Sequence, residues 1–186
     1  MSTISVIGAG YVGLTTSACL AHLGHEVICV DIDQEKIGRL QQGKIPIHEA
    51  GLLELVQTGI SNSCLQFVVG AENAVASSEF VFLCLPTPQE EDGRADVDAV
   101  LSVVNQIRDV VSPGTIIVNK STVPVGTNTT LATAIRRDDV FVVSNPEFLR
   151  EGAAVTDFLQ PDRIVIGADD SKAGDRLAQI YESIDA

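Results

Sequence analysis

The stretch VIGAGYVG, residues 6–13, decides how this chain folds. An apolar run ends at Ile7. Three glycines follow, Gly8, Gly10 and Gly13, and an apolar helical pattern then extends from Tyr11 to Leu23. Taken alone, the spacing G-x-G-x-x-G is a weak signal. Here it stands between a strand candidate and a helix, and a second strand candidate, EVICVD, closes the unit on an acid, Asp31. In that context each glycine has a separate reason. Gly8 permits the tight turn, Gly10 lets a pyrophosphate approach the backbone, and Gly13 lets helix and strand pack closely. The segment Gly8, Ala9, Gly10, Tyr11, Val12, Gly13 therefore reads as a phosphate loop, with amides and partial positive charge from the helix N-terminus facing the ligand.

Asp31 stands where a carboxylate accepts hydrogen bonds from an adenosine ribose. With Asp33 close by, it repels a 2′-phosphate, which favours NAD over NADP. Lys36, early in the next helix, faces either the same ribose or solvent.

Outward from this unit, apolar β-branched runs alternate with longer amphipathic segments. The later strand candidates are LQFVVG, FVFLCLP, TIIVNKS, VFVVSNP and RIVIGAD, and the segments Asp96 to Val111 and Thr127 to Arg137 read as helices. Near-continuous hydrophobic strands joined by helices indicate an α/β protein: a doubly wound, mostly parallel sheet of Rossmann type with helices on both faces. Gly24 ends the first helix and Gly70 follows the third strand. Lys44 to Gly59 departs from the rhythm and reads as a loop and short extra helix inserted between strands two and three.

The chain has 186 residues, 45% of them hydrophobic, enough for one well-buried domain over 1–186. Its formal charge is −13. That argues against nucleic acid or an anionic membrane as partner, since both require a basic surface. Cys19, Cys29, Cys64 and Cys84 have no metal-type spacing, and three of them lie in apolar runs, Cys84 inside a strand. No metal site is expected. No leader precedes the first strand and no apolar run reaches membrane-spanning length, so a reduced, cytoplasmic compartment is the expectation.

Ligands of open α/β sheets lie outside the carboxyl ends of the strands. Those ends are unusual here. Strand four ends in LPTPQ with Thr87, strand five in NKSTVPVGT with Lys120, Ser121 and Thr122, and strand six in SNPEFLREG with Glu147 and Glu151. If a helical turn starts after Pro146, the two acids share one face. Each feature alone is compatible with a cap or turn. Together with the phosphate loop they resemble half of an active site.

The segments GAGYVGLTTSACLAHLGHEVICVDID, PIHEAGL, PTP, KSTVPVGT and SNPEFLREGAAVTDFLQPDRIVIG resemble the nucleotide-sugar dehydrogenases of the UDP-glucose/GDP-mannose family, in the family's order and over essentially the whole chain. KSTVPVGT and DFLQPDRIVIG are most similar to the branch that oxidises UDP-glucose. The resemblance implies a four-electron oxidation of the sugar C6 alcohol to a carboxylate with reduction of two NAD. It implies cofactor contacts from Gly8 to Gly13, Asp31, Lys36, Thr87, Ser121 and Thr122, with Glu151 near the nicotinamide. Thr122 and Glu147 match catalytic positions, Glu147 as the acid/base through which water attacks a thioester. Glu147, Phe148, Leu149, Arg150 and Glu151 match the segment along the UDP-sugar. The bland alternative for Glu147 and Glu151 is a pair of acids complementing a helix dipole.

The family's nucleophile is a cysteine in a glycine-rich loop of a second domain, and none of the four cysteines here lies in such a loop. The expectation is an isolated N-terminal domain, inactive by itself, of an enzyme whose central helix and substrate domain are absent. The resemblance further implies a homo-oligomer assembled through that central region. Three readings stay open: the NAD-binding half of a UDP-glucose dehydrogenase, of a relative acting on GDP-mannose or a UDP-N-acetylhexosamine, or a non-catalytic dinucleotide sensor.

Overall fold

A computed structural model describes residues 1–90 and 92–186. The chain runs β1 (Thr3–Ile7), α1 (Tyr11–His22), β2 (Glu26–Asp31), α2 (Gln34–Gln41), α3 (Leu52–Ser61), β3 (Leu65–Val69), α4 (Glu72–Val75) and β4 (Phe80–Leu83). It continues with α5 (Asp98–Ile107), β5 (Ile116–Asn119), α6 (Thr127–Ile135), β6 (Phe141–Ser144), α7 (Ala154–Leu159), β7 (Gly167–Ala168) and α8 (Ser171–Ile180). The strands form one sheet in the order β3-β2-β1-β4-β5-β6-β7. The first six are mutually parallel, and β7 is antiparallel to β6. Strand order 3-2-1-4-5-6 defines the doubly wound dinucleotide fold, and its direction reverses between β1 and β4.

The strands read as unbroken apolar runs because both faces are covered. Alternate residues feed two cores. Phe80 and Phe82 pack with α1, α2 and α3, on the face that also holds Phe158 and Leu177, whereas Val81 and Leu83 pack with α5 and α6. α1 is buried at every position from Gly13 to Ala21. Such a helix is apolar all round because it is enclosed, touching the sheet on one side and α3 and α7 on the other.

Three expectations from the sequence change. RIVIGAD, expected as a strand, forms one over only two of its residues. Only Gly167–Ala168 pairs, antiparallel to Ser144 and Val143, after the six-residue α7. Cys84 lies just past the end of β4, although its amide still donates to the Ile7 carbonyl at 2.9 Å. Glu147 to Arg150 is not helical, and α7 starts only at Ala154. Glu147 and Glu151 therefore do not share a helix face. The insertion between strands two and three is as expected, a loop and the ten-residue α3. At the outer edge of β3, the side-chain amide of Gln41 donates to the Phe67 carbonyl at 2.8 Å.

Candidate functional site

The carboxyl ends of β1, β2, β4 and β5 open into a cleft of about 870 Å³ at the switch point, within the size range of small-molecule and cofactor sites. Its floor is the phosphate loop. Gly8 has φ +103°, and a Cβ there would lie 2.4 Å from the Cys84 carbonyl oxygen. A Cβ on Gly13 would lie 1.7 Å from the Gly8 carbonyl oxygen. These two glycines are dictated by the protein's own packing. Gly10 differs: a Cβ there meets nothing within 4 Å. Its bareness leaves room for a ligand, and in this fold that ligand is the dinucleotide pyrophosphate.

Asp31 closes the β2 corner. One carboxylate oxygen accepts from the Ala9 amide at 2.9 Å and from Lys36 Nζ at 2.9 Å, and the other from the Asp33 amide at 3.0 Å. Burial pushes the Asp31 carboxyl up, but these donors outweigh it and hold the group below its ordinary value. A carboxylate offers about four acceptor positions, so three internal bonds leave one for a ribose hydroxyl. Ala9 contributes its amide to Asp31 and lies beneath the cleft, as does Gly13. Gly8, Gly10, Tyr11, Val12, Asp31 and Lys36 line the cleft itself.

At the opposite end lie Thr87, Ser121, Thr122 and Glu147. The Thr87 hydroxyl donates to the Thr122 carbonyl at 2.7 Å, joining the β4 and β5 loops. The Ser121 hydroxyl accepts from the Leu85 amide at 3.0 Å and donates to the Leu85 carbonyl at 2.8 Å, so it shapes the wall. Glu147 lines the cleft, and its Oε2 accepts from the Leu149 amide at 2.7 Å. The rest of that segment faces elsewhere. Phe148 is half-exposed under the Arg163 guanidinium, 5.1 Å from its ring, and Leu149 packs onto the core. Arg150 pairs with Asp157 through three donors, which hold the Asp157 carboxyl down at about 2. Glu151 is exposed and does not line the cleft.

Two features go beyond the sequence reading, which names Lys120 only as one polar residue at the end of strand five and does not name Ile32. Lys120 is only 5% exposed yet borders the cleft. Its ammonium lies 3.2 Å from Asn145 Oδ1 and 5.7 Å from the Phe158 ring centre, and among the described residues no carboxylate pairs with it. Burial pushes the Lys120 ammonium pKa down, opposed by the neighbouring Cys84 and Glu147. Asn145 also accepts from the Tyr181 hydroxyl at 2.6 Å. The signal was a lysine ending an apolar strand. The second feature is the wall at the Asp31 end of the cleft: Ile32, 91% exposed directly after Asp31, lines it together with Ser102, Val103 and Gln106 of α5. An apolar residue after the ribose acid was the available clue. Cys84 also borders the cleft, but burial pushes its thiol up to about 12, away from the thiolate form a nucleophile needs. Among the described residues no cluster of side chains could hold a metal ion, and no helix is long and apolar enough to cross a membrane.

Residues 2–185 match the UDP-glucose/GDP-mannose dehydrogenase family, NAD binding domain. The chain belongs to this family. It is 44% identical to the UDP-glucose 6-dehydrogenase of Pseudomonas aeruginosa, an alignment covering 96% of this chain and 41% of that protein. Its structure superposes on a UDP-glucose dehydrogenase from Pyrobaculum islandicum with a TM-score of 0.93 at 38% identity, covering 100% of this chain and 45% of that one. A GDP-mannose dehydrogenase from Pseudomonas aeruginosa, solved as a ternary complex, gives 0.92 at 36% identity, covering 99% and 45%. The chain thus spans less than half the length of these relatives. As the family's NAD-binding domain, it has NAD as its cofactor, and the cleft fits that cofactor: bare backbone at Gly10, a helix N-terminus behind it, and a carboxylate at the ribose position.

Proposed function

We propose that this chain is the NAD-binding and water-activating half of a UDP-glucose 6-dehydrogenase, acting with a second domain that holds the sugar nucleotide and the nucleophile. The observation that carries the reading is the placement of Glu147, a carboxylate held by its own chain at the far end of the dinucleotide cleft. Bound NAD supplies the hydride acceptor. The protein's own part is to bind, orient and move protons. Gly10 and the α1 amides take the pyrophosphate, Asp31 with Lys36 takes the adenosine ribose, and the Thr87–Thr122 pair braces the loops at the other end.

Oxidising a primary alcohol to a carboxylate removes two hydrides and adds one oxygen from water, so two NAD are consumed and a water must be deprotonated. Oε2 of Glu147 is held by the Leu149 amide, which leaves Oε1 to accept the proton of an attacking water. Thr122 lines the same end of the cleft, and Phe148 to Glu151 follow Glu147 outside it, where a sugar nucleotide held by the second domain would meet them. The preference for UDP-glucose rests on the 44% identity to a UDP-glucose 6-dehydrogenase. The fold does not separate the sugars, since the GDP-mannose enzyme superposes as well.

The test uses the full-length enzyme. Glu147→Gln keeps shape and hydrogen-bonding reach but removes the base. Hydrolysis should slow by about 10²–10⁴-fold, the range for a lost acid/base, and a covalent sugar-nucleotide adduct on the downstream cysteine should accumulate in intact-protein mass spectra. Normal turnover with no adduct would assign water activation to the other domain.

A further inference from the structure

The loop inserted before α3 carries Glu49, which the phosphate-loop fingerprint does not require and the sequence motifs left unassigned. Its carboxylate reaches across more than a hundred residues of chain. Oε1 accepts from the Gly152 amide at 2.6 Å and Oε2 from the Ala154 amide at 3.1 Å. These amides directly follow the Glu147 segment and lead into α7. Beside them, the hydroxyl of Tyr11, a residue of the phosphate loop, donates to the Arg150 carbonyl at 2.8 Å. Tyr11 is held protonated by burial and by its contact with Glu49. A segment without regular structure, Glu147 to Ala153, is therefore fixed at Arg150 by the cofactor loop and at Gly152 and Ala154 by the inserted loop. Charge-assisted bonds from a carboxylate to backbone amides are the strong kind.

From this geometry we infer that Glu49 is a positioning residue: with Tyr11 it clamps residues 150–154 against the phosphate loop and so sets where Glu147 stands in the cleft. The consequence for turnover rests on the role proposed above for Glu147; the clamp itself does not. The groups facing Glu49 are Tyr11 on α1, Asp157 on α7 and, through Tyr11, Glu151. Burial pushes the Glu49 carboxyl up, yet the two amides and Tyr11 outweigh burial and the Asp157 charge and hold it below 4.5. A carboxyl depressed on folding stabilises its contacts above its ordinary value, and that contribution is lost as pH falls through the folded one. Asp157, held down at about 2 by Arg150, stays ionised through that window.

The first experiment measures amide hydrogen exchange in this chain by NMR. Glu49→Gln should speed exchange at Gly152 and Ala154 at least tenfold at neutral pH, with the β1, β4 and β5 amides unchanged. Wild-type protection at those two amides should fall as pH drops below 4.5, whereas Glu49→Gln should already show the low value and no such step. Tyr11→Phe should loosen the same segment without removing the pH step. Unchanged exchange at Gly152 and Ala154, or equal acceleration throughout the sheet, would overturn the clamp. The second experiment uses full-length enzyme. Glu49→Gln should lower kcat at least tenfold with KM for NAD within threefold, and Glu49→Asp should recover part of the loss. If Glu147→Gln traps the adduct while Glu49→Gln turns over normally, the positioning role is overturned. If the exchange result holds and neither variant affects turnover, the clamp stands and the reading of Glu147 fails.

Discussion

The two ends of the cleft are built differently. At the β1–β2 end, geometry is set by closeness: Gly8 and Gly13 have no room for a side chain, and Asp31 has three internal donors. At the β5–β6 end, position comes from single bonds, with Lys120 on the amide oxygen of Asn145 across the sheet and Glu147 on the amide of Leu149 two residues on. The first corner is finished within the chain, whereas the second presents outward groups such as half-exposed Phe148. A corner built by packing resists substitution through stability, and a corner built by tethers resists it through placement.

The sharpest way to break that contrast is within the glycine loop. Gly13→Ala forces a Cβ to 1.7 Å from the Gly8 carbonyl oxygen, so urea denaturation should show a loss above the ~1–3 kcal/mol typical of overpacking. Gly10→Ala meets nothing within 4 Å and should change stability by less than ~0.5 kcal/mol, while NAD affinity measured by calorimetry falls about tenfold or more as the methyl enters the pyrophosphate position. Equal destabilisation by both variants would mean that packing alone explains all three glycines.

Next in size is Asp31. Wild type should bind NAD better than NADP, and Asp31→Ala should narrow the gap by about tenfold, because Lys36 is released to meet a 2′-phosphate. Titration of both cofactors decides this, and equal affinities in wild type would remove the specificity assigned to that corner.

The smallest effect lies at the amino end of the strands, away from the cleft. His25 is buried, its Nδ1 accepting from the Ser2 amide at 3.3 Å and its Nε2 donating to the Ile180 carbonyl at 3.1 Å. Burial lowers its pKa from 6.5, so at acid pH the unfolded chain binds the extra proton. Stability should be full above 6.5 and decline as pH falls below it, before the carboxylates titrate. His25→Gln should flatten that decline below 6.5 in denaturation midpoints.

The phosphate loop, the alternation of strands and helices and the acid at β2 were legible because each follows from a local rule. Gly8, Gly10, Gly13 and Asp31 sit within one unit of chain. Less legible was anything decided at a distance. Asn145-Pro146 suggested a helical turn, but Tyr11 and Glu49 hold residues 150–154 in another path until Ala154. RIVIGAD carries β-branched residues, yet only two residues of it find a partner. Lys120 looked like one polar residue among several, since its burial depends on Phe158, Asn145 and Tyr181, brought in by later segments.

The Gln41 amide on the Phe67 carbonyl bears on how copies of this chain behave toward one another. Alternate backbone groups of β3 face outward, and an open edge of five residues is a template for a foreign strand. Gln41 occupies the central outward acceptor of that edge from a helix already fixed by Ile37 and Leu40. At the far side, β7 is only two residues long, too short for a stable run of intermolecular pairing. Both margins of the sheet are thus blunted, one by a side-chain amide and one by brevity, which favours solubility at concentrations where an unprotected sheet would begin to add strands.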